Sequence, residues 1–292
     1  MDAPRGARHA AAMADLQYVR VPRGEICTQG AQVLRWRDGS DRDVLFVSSK
    51  TRLKPGKPIR GGIPVIFPWF GEDPAGKGKA HGVVRREEWR LDEARTDRAQ
   101  GRVALELRAN DDTREDWPHE FAARLLATFG DALAIQWEIE NTGKQPFRFE
   151  QALHTYFLVG DVQRIAVRGL DGVGYADNKD GGARKTQQGP LRLQGETERY
   201  YHGSTATVAI DDPVLGRSIE MQRQGACSTL VWHPWQEKAK EMGDFDAGEW
   251  DKMVCVEAAN VRDDAITLPP GKVHSLAMTI RVARLPATTG RA

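Results

Sequence analysis

Short runs of apolar or alternating residues recur along the chain at Gln32–Trp36, Val44–Val47, Val103–Leu107, Leu125–Phe129, Leu133–Ile139, Phe147–Phe157, Ala206–Ile210, Thr229–Trp232, Met253–Ala258 and Leu276–Val282. They are rich in valine, isoleucine, threonine and aromatics and are bounded by Gly, Pro, Asn and Asp, the pattern of half-buried strands. Phe129-Gly130-Asp131-Ala132-Leu133 predicts a hairpin turn, and Glu140-Asn141-Thr142-Gly143-Lys144 a second turn. A 3.6-residue period is confined to Gln236–Met242, which predicts one or two helical turns. Many strands at short intervals, without long helices between them, predict an all-β fold: a large antiparallel sandwich rather than a parallel α/β sheet. The polar, glycine-rich stretch Asp177–Gly189 reads as a loop. No composition shift or internal repeat divides the chain, so residues 16–288 read as one domain and residues 1–15 as a disordered tail.

Composition narrows the partners. The 292 residues are 40% hydrophobic and 28% charged, as in a soluble globular protein. With 42 basic against 41 acidic residues the net charge is +1, which gives no global field for nucleic acid or a membrane surface. Any anion site must therefore be local, and the expected partner is a small molecule bound by a monomer. Cys27, Cys227 and Cys255 form no CxxC pair and no zinc-ligand spacing, so a reduced, cytoplasmic setting without metal is expected. No apolar run reaches transmembrane length, and the first fifteen residues lack the continuous apolar centre of a secretory signal.

Candidate chemistry lies in three islands. Arg60-Gly61-Gly62-Ile63-Pro64 through Pro68-Trp69-Phe70-Gly71, with His81-Gly82-Val83-Val84-Arg85, gathers two arginines, a histidine and Trp69 with the following Trp89. Arginine offers a fixed charge and a forked donor set suited to phosphate. Tryptophan offers a face for a sugar ring, and histidine moves protons near neutral pH. The same residues would also suit an ordinary loop with a buried Pro-Trp-Phe. The other two islands, Leu153-His154-Thr155-Tyr156-Phe157 and Val254-Cys255-Val256-Glu257-Ala258, each set one titratable residue in an apolar strand. Alternation turns His154 the same way as Tyr156, and Glu257 the same way as Cys255. Glu257 is then either a desolvated general base or a carboxylate on a solvent face, and His154 either its partner acid or a core histidine. Separation along the chain does not choose between these readings.

The three islands, together with Val231-Trp232-His233-Pro234-Trp235, occur in an order that resembles the glucose-6-phosphate 1-epimerases, the hexose-6-phosphate mutarotases of the aldose 1-epimerase superfamily. The resemblance implies a galactose-mutarotase-like sandwich with no metal or organic cofactor. It also implies interconversion of the α and β anomers of a hexose 6-phosphate. Glu257 would take the proton of the anomeric hydroxyl and His154 would protonate the ring oxygen. Arg60 and Arg85 would hold the phosphate, with His81 on a hydroxyl or the ring oxygen and Trp232 as a wall. Two positions depart from the family pattern. Glu198, in Glu196-Thr197-Glu198-Arg199, stands where an aspartate usually holds sugar hydroxyls, and Ala80 stands where a glutamine is common. Asp177 is a second candidate for the hydroxyls. An epimerase of unphosphorylated sugars and a non-catalytic sugar-binding module stay open as alternatives.

Overall fold

The computed structural model describes residues 15–285. Two eight-stranded antiparallel sheets dominate. The first runs Ala183–Thr186, Gly174–Asp177, Thr197–Tyr201, Ser228–His233, Met253–Asn260, Gln151–Leu153 and Val65–Ile66, with Tyr156–Leu158 also paired to Met253–Asn260. The second runs Ala166–Arg168, Val208–Asp212, Arg217–Gln224, Val273–Arg284, Ala132–Asn141, Phe121–Phe129, Arg102–Arg108 and Arg90–Leu91. A three-stranded sheet over Tyr18–Val21, Gly24–Cys27 and Gln32–Trp36 and a small pair, Phe147–Phe149 with Ile266–Leu268, complete the strands. Among the described residues no helix is long and apolar enough to cross a membrane.

The expected antiparallel sandwich is what the chain forms. Its main core lies between the large sheets, where Val254, Val256 and Ala258 meet Leu276, Met278 and Ile280, and Leu133, Ile135, Trp137 and Ile139 fill the same cluster. The other side of Met253–Asn260 is buried too. Met253 and Cys255 pack with Phe46, Tyr156 and Phe245, and Ala259 packs with Ile66, Tyr200 and Leu230. All eight residues of this strand are therefore buried. A strand covered on both faces reads as a continuous apolar run, which is why the lone Glu257 stands out.

Several expectations need correction. Val44–Val47 forms only single bridges, Leu45 with Phe157 and Val47 with Gly61, because its neighbours meet it at isolated positions rather than along a ladder. Phe147–Phe157 is not one strand but three: Phe147–Phe149 pairs with Ile266–Leu268, while Gln151–Leu153 and Tyr156–Leu158, interrupted by His154-Thr155, both pair with Met253–Asn260. Asp177–Gly189 is a hairpin: Gly174–Asp177 pairs with Ala183–Thr186 around Gly181 and Gly182, both at positive φ. Its outer strand is polar because it is an exposed edge, and polarity hides an edge strand from a hydrophobic pattern. The expected helix runs Trp235–Glu241, and a second short helix, Asp111–Asp116, is started by the Asn110 cap rather than by an apolar period. The expected tail before Asp15 lies outside the described residues.

Candidate active site

Register, more than alternation, assembles the site. Leu153 pairs with Ala258 and Tyr156 with Cys255, so the same ladder sets His154 opposite Glu257. On the other flank Leu230 pairs with Glu257, Trp232 with Cys255, and Glu198 with Trp232. In an antiparallel sheet, directly opposed residues share a face. Glu257, His154, Tyr156, Leu230, Trp232, Glu198 and Tyr200 thus floor one cavity of about 190 Å³ on the face away from the main core. The turns carrying Arg60, Phe70 and His81 wall it.

The Glu257 carboxylate is fully buried, and neither oxygen has a hydrogen-bond partner. Nδ1 of His154 stands 3.3 Å from its Oε1, also without an aligned partner. Such groups are costly to bury, and they are found where chemistry uses them. The imidazole lies parallel to the Tyr156 ring, with centroids 4.8 Å apart at 10°, and faces Phe70 at 6.2 Å on the other side. Burial, reinforced by the charge of Glu198, holds Glu257 well above the ordinary carboxylate range. Burial, and then His81, Arg60 and Arg85, hold His154 well below the usual imidazole range. Both shifts favour the uncharged forms, a protonated Glu257 and a neutral His154.

His81 reaches the cavity through a tight turn. Its N–H donates to the carbonyl of Gly71 at 2.6 Å, and its Nδ1 accepts from the N–H of Gly71 at 3.3 Å. Glycine is required next to it: a Cβ on Gly82 would lie 2.0 Å from the Phe67 carbonyl oxygen, and φ is +74°. Burial, with Arg85 second, lowers His81 to about 3. With Nδ1 accepting, its Nε2 is left as a neutral donor.

Arg60 lines the cavity with its fork already engaged. Nη1 donates to the Tyr156 hydroxyl at 3.1 Å, while Nε at 3.3 Å and Nη2 at 3.2 Å donate to Asp244. Arg85 stands behind this wall rather than on it. Its Nη2 donates to the Ala80 carbonyl at 2.9 Å, its buried Nε has no partner, and burial followed by Arg86 lowers it to about 9, so it stays charged at neutral pH. Ala80 thus contributes a main-chain oxygen where a glutamine side chain was noted as missing. Glu198 lines the cavity, with Oε1 accepting from Tyr200 Oη and Asn178 Nδ2, both at 2.8 Å.

Asp177 is a correction. It pairs with Arg199 in the ladder, one residue out of step with Glu198, and so faces the opposite side of the sheet. There its carboxylate takes Lys185 Nζ at 3.0 Å, and it does not line the cavity. Trp69 and Trp89 are core residues whose indole N–H groups donate to the carbonyls of Lys79 and Val84, so neither offers a sugar platform. The aromatic walls are instead Phe70, Tyr156, Tyr200 and Trp232. Asp244, in the Met242–Phe245 turn, carried no pattern that would single it out, because its role depends on a partner distant in sequence.

A cavity that holds a buried, unpartnered carboxyl and imidazole side by side, with hydrogen-bond donors around it on a β-sandwich, is suited to moving protons on a small polar ligand. The chain belongs to the aldose 1-epimerase family: the model of that family, described as Aldose 1-epimerase, matches residues 23–281. Among curated proteins it is 35% identical over 258 residues to a "Putative glucose-6-phosphate 1-epimerase" of Cenchrus ciliaris, spanning 85% of this chain and 78% of that one. A protein of the same description from Escherichia coli K12 is 33% identical over 257 residues, spanning 88% and 85%. A crystal structure of a "putative mutarotase" from Salmonella typhimurium superposes with a TM-score of 0.85 at 29% identity, covering 92% of this chain and 91% of that one.

Proposed function

We propose that this epimerase interconverts the α and β anomers of D-glucose 6-phosphate, with Glu257 and His154 as the catalytic pair. The observation that carries the reading is the ladder position of His154 opposite Glu257, both buried, 3.3 Å apart and unpartnered, in the cavity that Arg60 lines.

Moving the shared proton across that 3.3 Å gap produces a carboxylate and an imidazolium. The Glu257 carboxylate then removes the proton of O1 as the C1–O1 bond becomes a carbonyl and the C1–O5 bond breaks. His154 delivers its proton to O5. These transfers return both side chains to the uncharged forms that burial favours. The pair therefore begins and ends ring opening in the same protonation state. Rotation about C1–C2 presents the other carbonyl face, and the same transfers in reverse close the ring. General acid–base catalysis of this kind contributes about 10²–10⁴-fold.

The positive end of the cavity supports a phosphate on C6, with Arg60 on the wall, Arg85 behind it and His81 as a neutral donor. Glu198 is placed for the sugar hydroxyls. A common core between the two large sheets supports one domain over 16–288. We infer that it acts as a monomer. Three unpaired cysteines support a reduced, cytoplasmic setting. One observation favours the second reading, an epimerase of free hexoses: Asp244 already neutralises Arg60. Measuring anomeric exchange of glucose 6-phosphate and of free glucose by NMR magnetisation transfer tests both. Acceleration selective for the phosphorylated sugar supports the first reading, and equal acceleration of both sugars supports the second.

A further inference from the structure

The geometry points to Asp244 as a placeholder: we propose that its carboxylate occupies the phosphate seat of the empty enzyme and is displaced from Arg60 when an anionic sugar binds, so that Asp244 sets the discrimination between phosphorylated and free hexoses. This rests on the phosphate reading of the Arg60 end of the cavity.

Three observations carry it. First, Asp244 fills the side of the Arg60 fork formed by Nε and Nη2, while Nη1 is taken by Tyr156, so a phosphate meets an arginine already engaged on both sides. Second, the grip is loose. The contacts measure 3.2–3.3 Å, whereas tight charge-assisted N–H···O bonds fall at about 2.7–2.9 Å. Both side chains are also about one-quarter exposed, at 28% and 23%, so solvent reaches the pair. Third, the charges balance only after exchange. Arg60, Arg85 and Asp244 together sum to +1. With Asp244 turned away they offer +2 to a phosphate dianion, and the Asp244 charge reaches both arginines. Asp244 lies on a turn between an exposed Gly243 and Phe245, whose ring is buried, so the segment is anchored beside the carboxylate rather than at it.

The test compares Asp244→Asn and Asp244→Ala with wild type and with Arg60→Met. Michaelis constants for glucose 6-phosphate and free glucose, and inhibition by inorganic phosphate, are read by anomeric exchange. Removing the competing carboxylate should lower KM for glucose 6-phosphate and the inhibition constant of inorganic phosphate about three- to ten-fold, as expected for loss of a weak ion pair. KM for free glucose should not follow. The alanine variant covers the case in which asparagine keeps a hydrogen bond to Arg60. If both Asp244 variants leave KM for glucose 6-phosphate unchanged or raise it, while Arg60→Met still raises it, Asp244 orients Arg60 or is inert and the placeholder is overturned. If Arg60→Met itself leaves that KM unchanged, the phosphate reading falls, and the placeholder with it.

Discussion

The two ends of the cavity are built on opposite principles. At one end Glu257 and His154 are buried, without hydrogen-bond partners, and pushed toward their uncharged forms. At the other, Arg60 is charged, partly exposed and met on each side of its fork by Asp244 and Tyr156. Withholding partners from a buried acid and base raises the energy of their charged forms, which moves the proton affinity of Glu257 up and that of His154 down. Supplying partners to an arginine fixes a charge in space and leaves it ready to trade one anion for another. The first end suits proton transfer and the second suits recognition. Tyr156 joins them, stacking on His154 through its ring and holding Arg60 through its hydroxyl.

The contrast can be broken most forcefully at the chemical end. Glu257→Gln keeps the shape and removes the base, so kcat should fall about 10²–10⁴-fold with the binding of glucose 6-phosphate retained. Calorimetric titration beside the exchange assay separates the two effects, and a variant that loses binding but keeps turnover would invert the assignment. At the recognition end, Arg60→Met should raise KM for glucose 6-phosphate by about 10–100-fold, the scale of a charge-assisted hydrogen bond, and leave free glucose unaffected.

The same contrast appears in stability. Glu257 is held above its ordinary range, so between about pH 4.3 and its folded value the unfolded chain ionises it while the fold keeps it protonated, and stability is lost as pH rises. His154 is held below its ordinary range, so its share is lost as pH falls below about 6.5. Glu257→Gln should accordingly flatten the decline of Tm above about pH 4.3, a result that thermal scans across pH read directly. Unchanged curvature would mean that the carboxyl is not held neutral in the folded protein.

The smallest effect is expected at Asp177. Asp177→Asn should leave kcat/KM within about two-fold and cost less than about 1 kcal/mol, because it weakens partly exposed ion pairs to Lys185 and, at 4.0 Å, to Arg199 on the far face of the sheet. A large loss of activity would return Asp177 to the site.

Asp177 also shows where legibility stopped. The sandwich was readable, because a period of two needs only local sequence. The face shared by His154 and Tyr156 was readable for the same reason. Whether Asp177 or Glu198 entered the cavity was not, since that depends on a register of 177 against 199 which alternation within a single strand does not contain. Arg85 and Trp69 were recognisable as motif residues, yet their depth behind the wall follows from turns at Gly71 and Gly82. Asp244 was invisible for a related reason: its role exists only through Arg60, at the other end of the chain's path through the sheet.

The central claim is that the buried pair, and not the charged end, carries the chemistry. It is tested most directly by two-dimensional exchange NMR of the α and β C1 protons of saturating glucose 6-phosphate, with wild type, Glu257→Gln and Arg60→Met side by side. The account predicts fast exchange with wild type, exchange near the buffer rate with Glu257→Gln, and near-normal exchange with Arg60→Met once substrate saturates it. Exchange at the wild-type rate by a folded Glu257→Gln would contradict it.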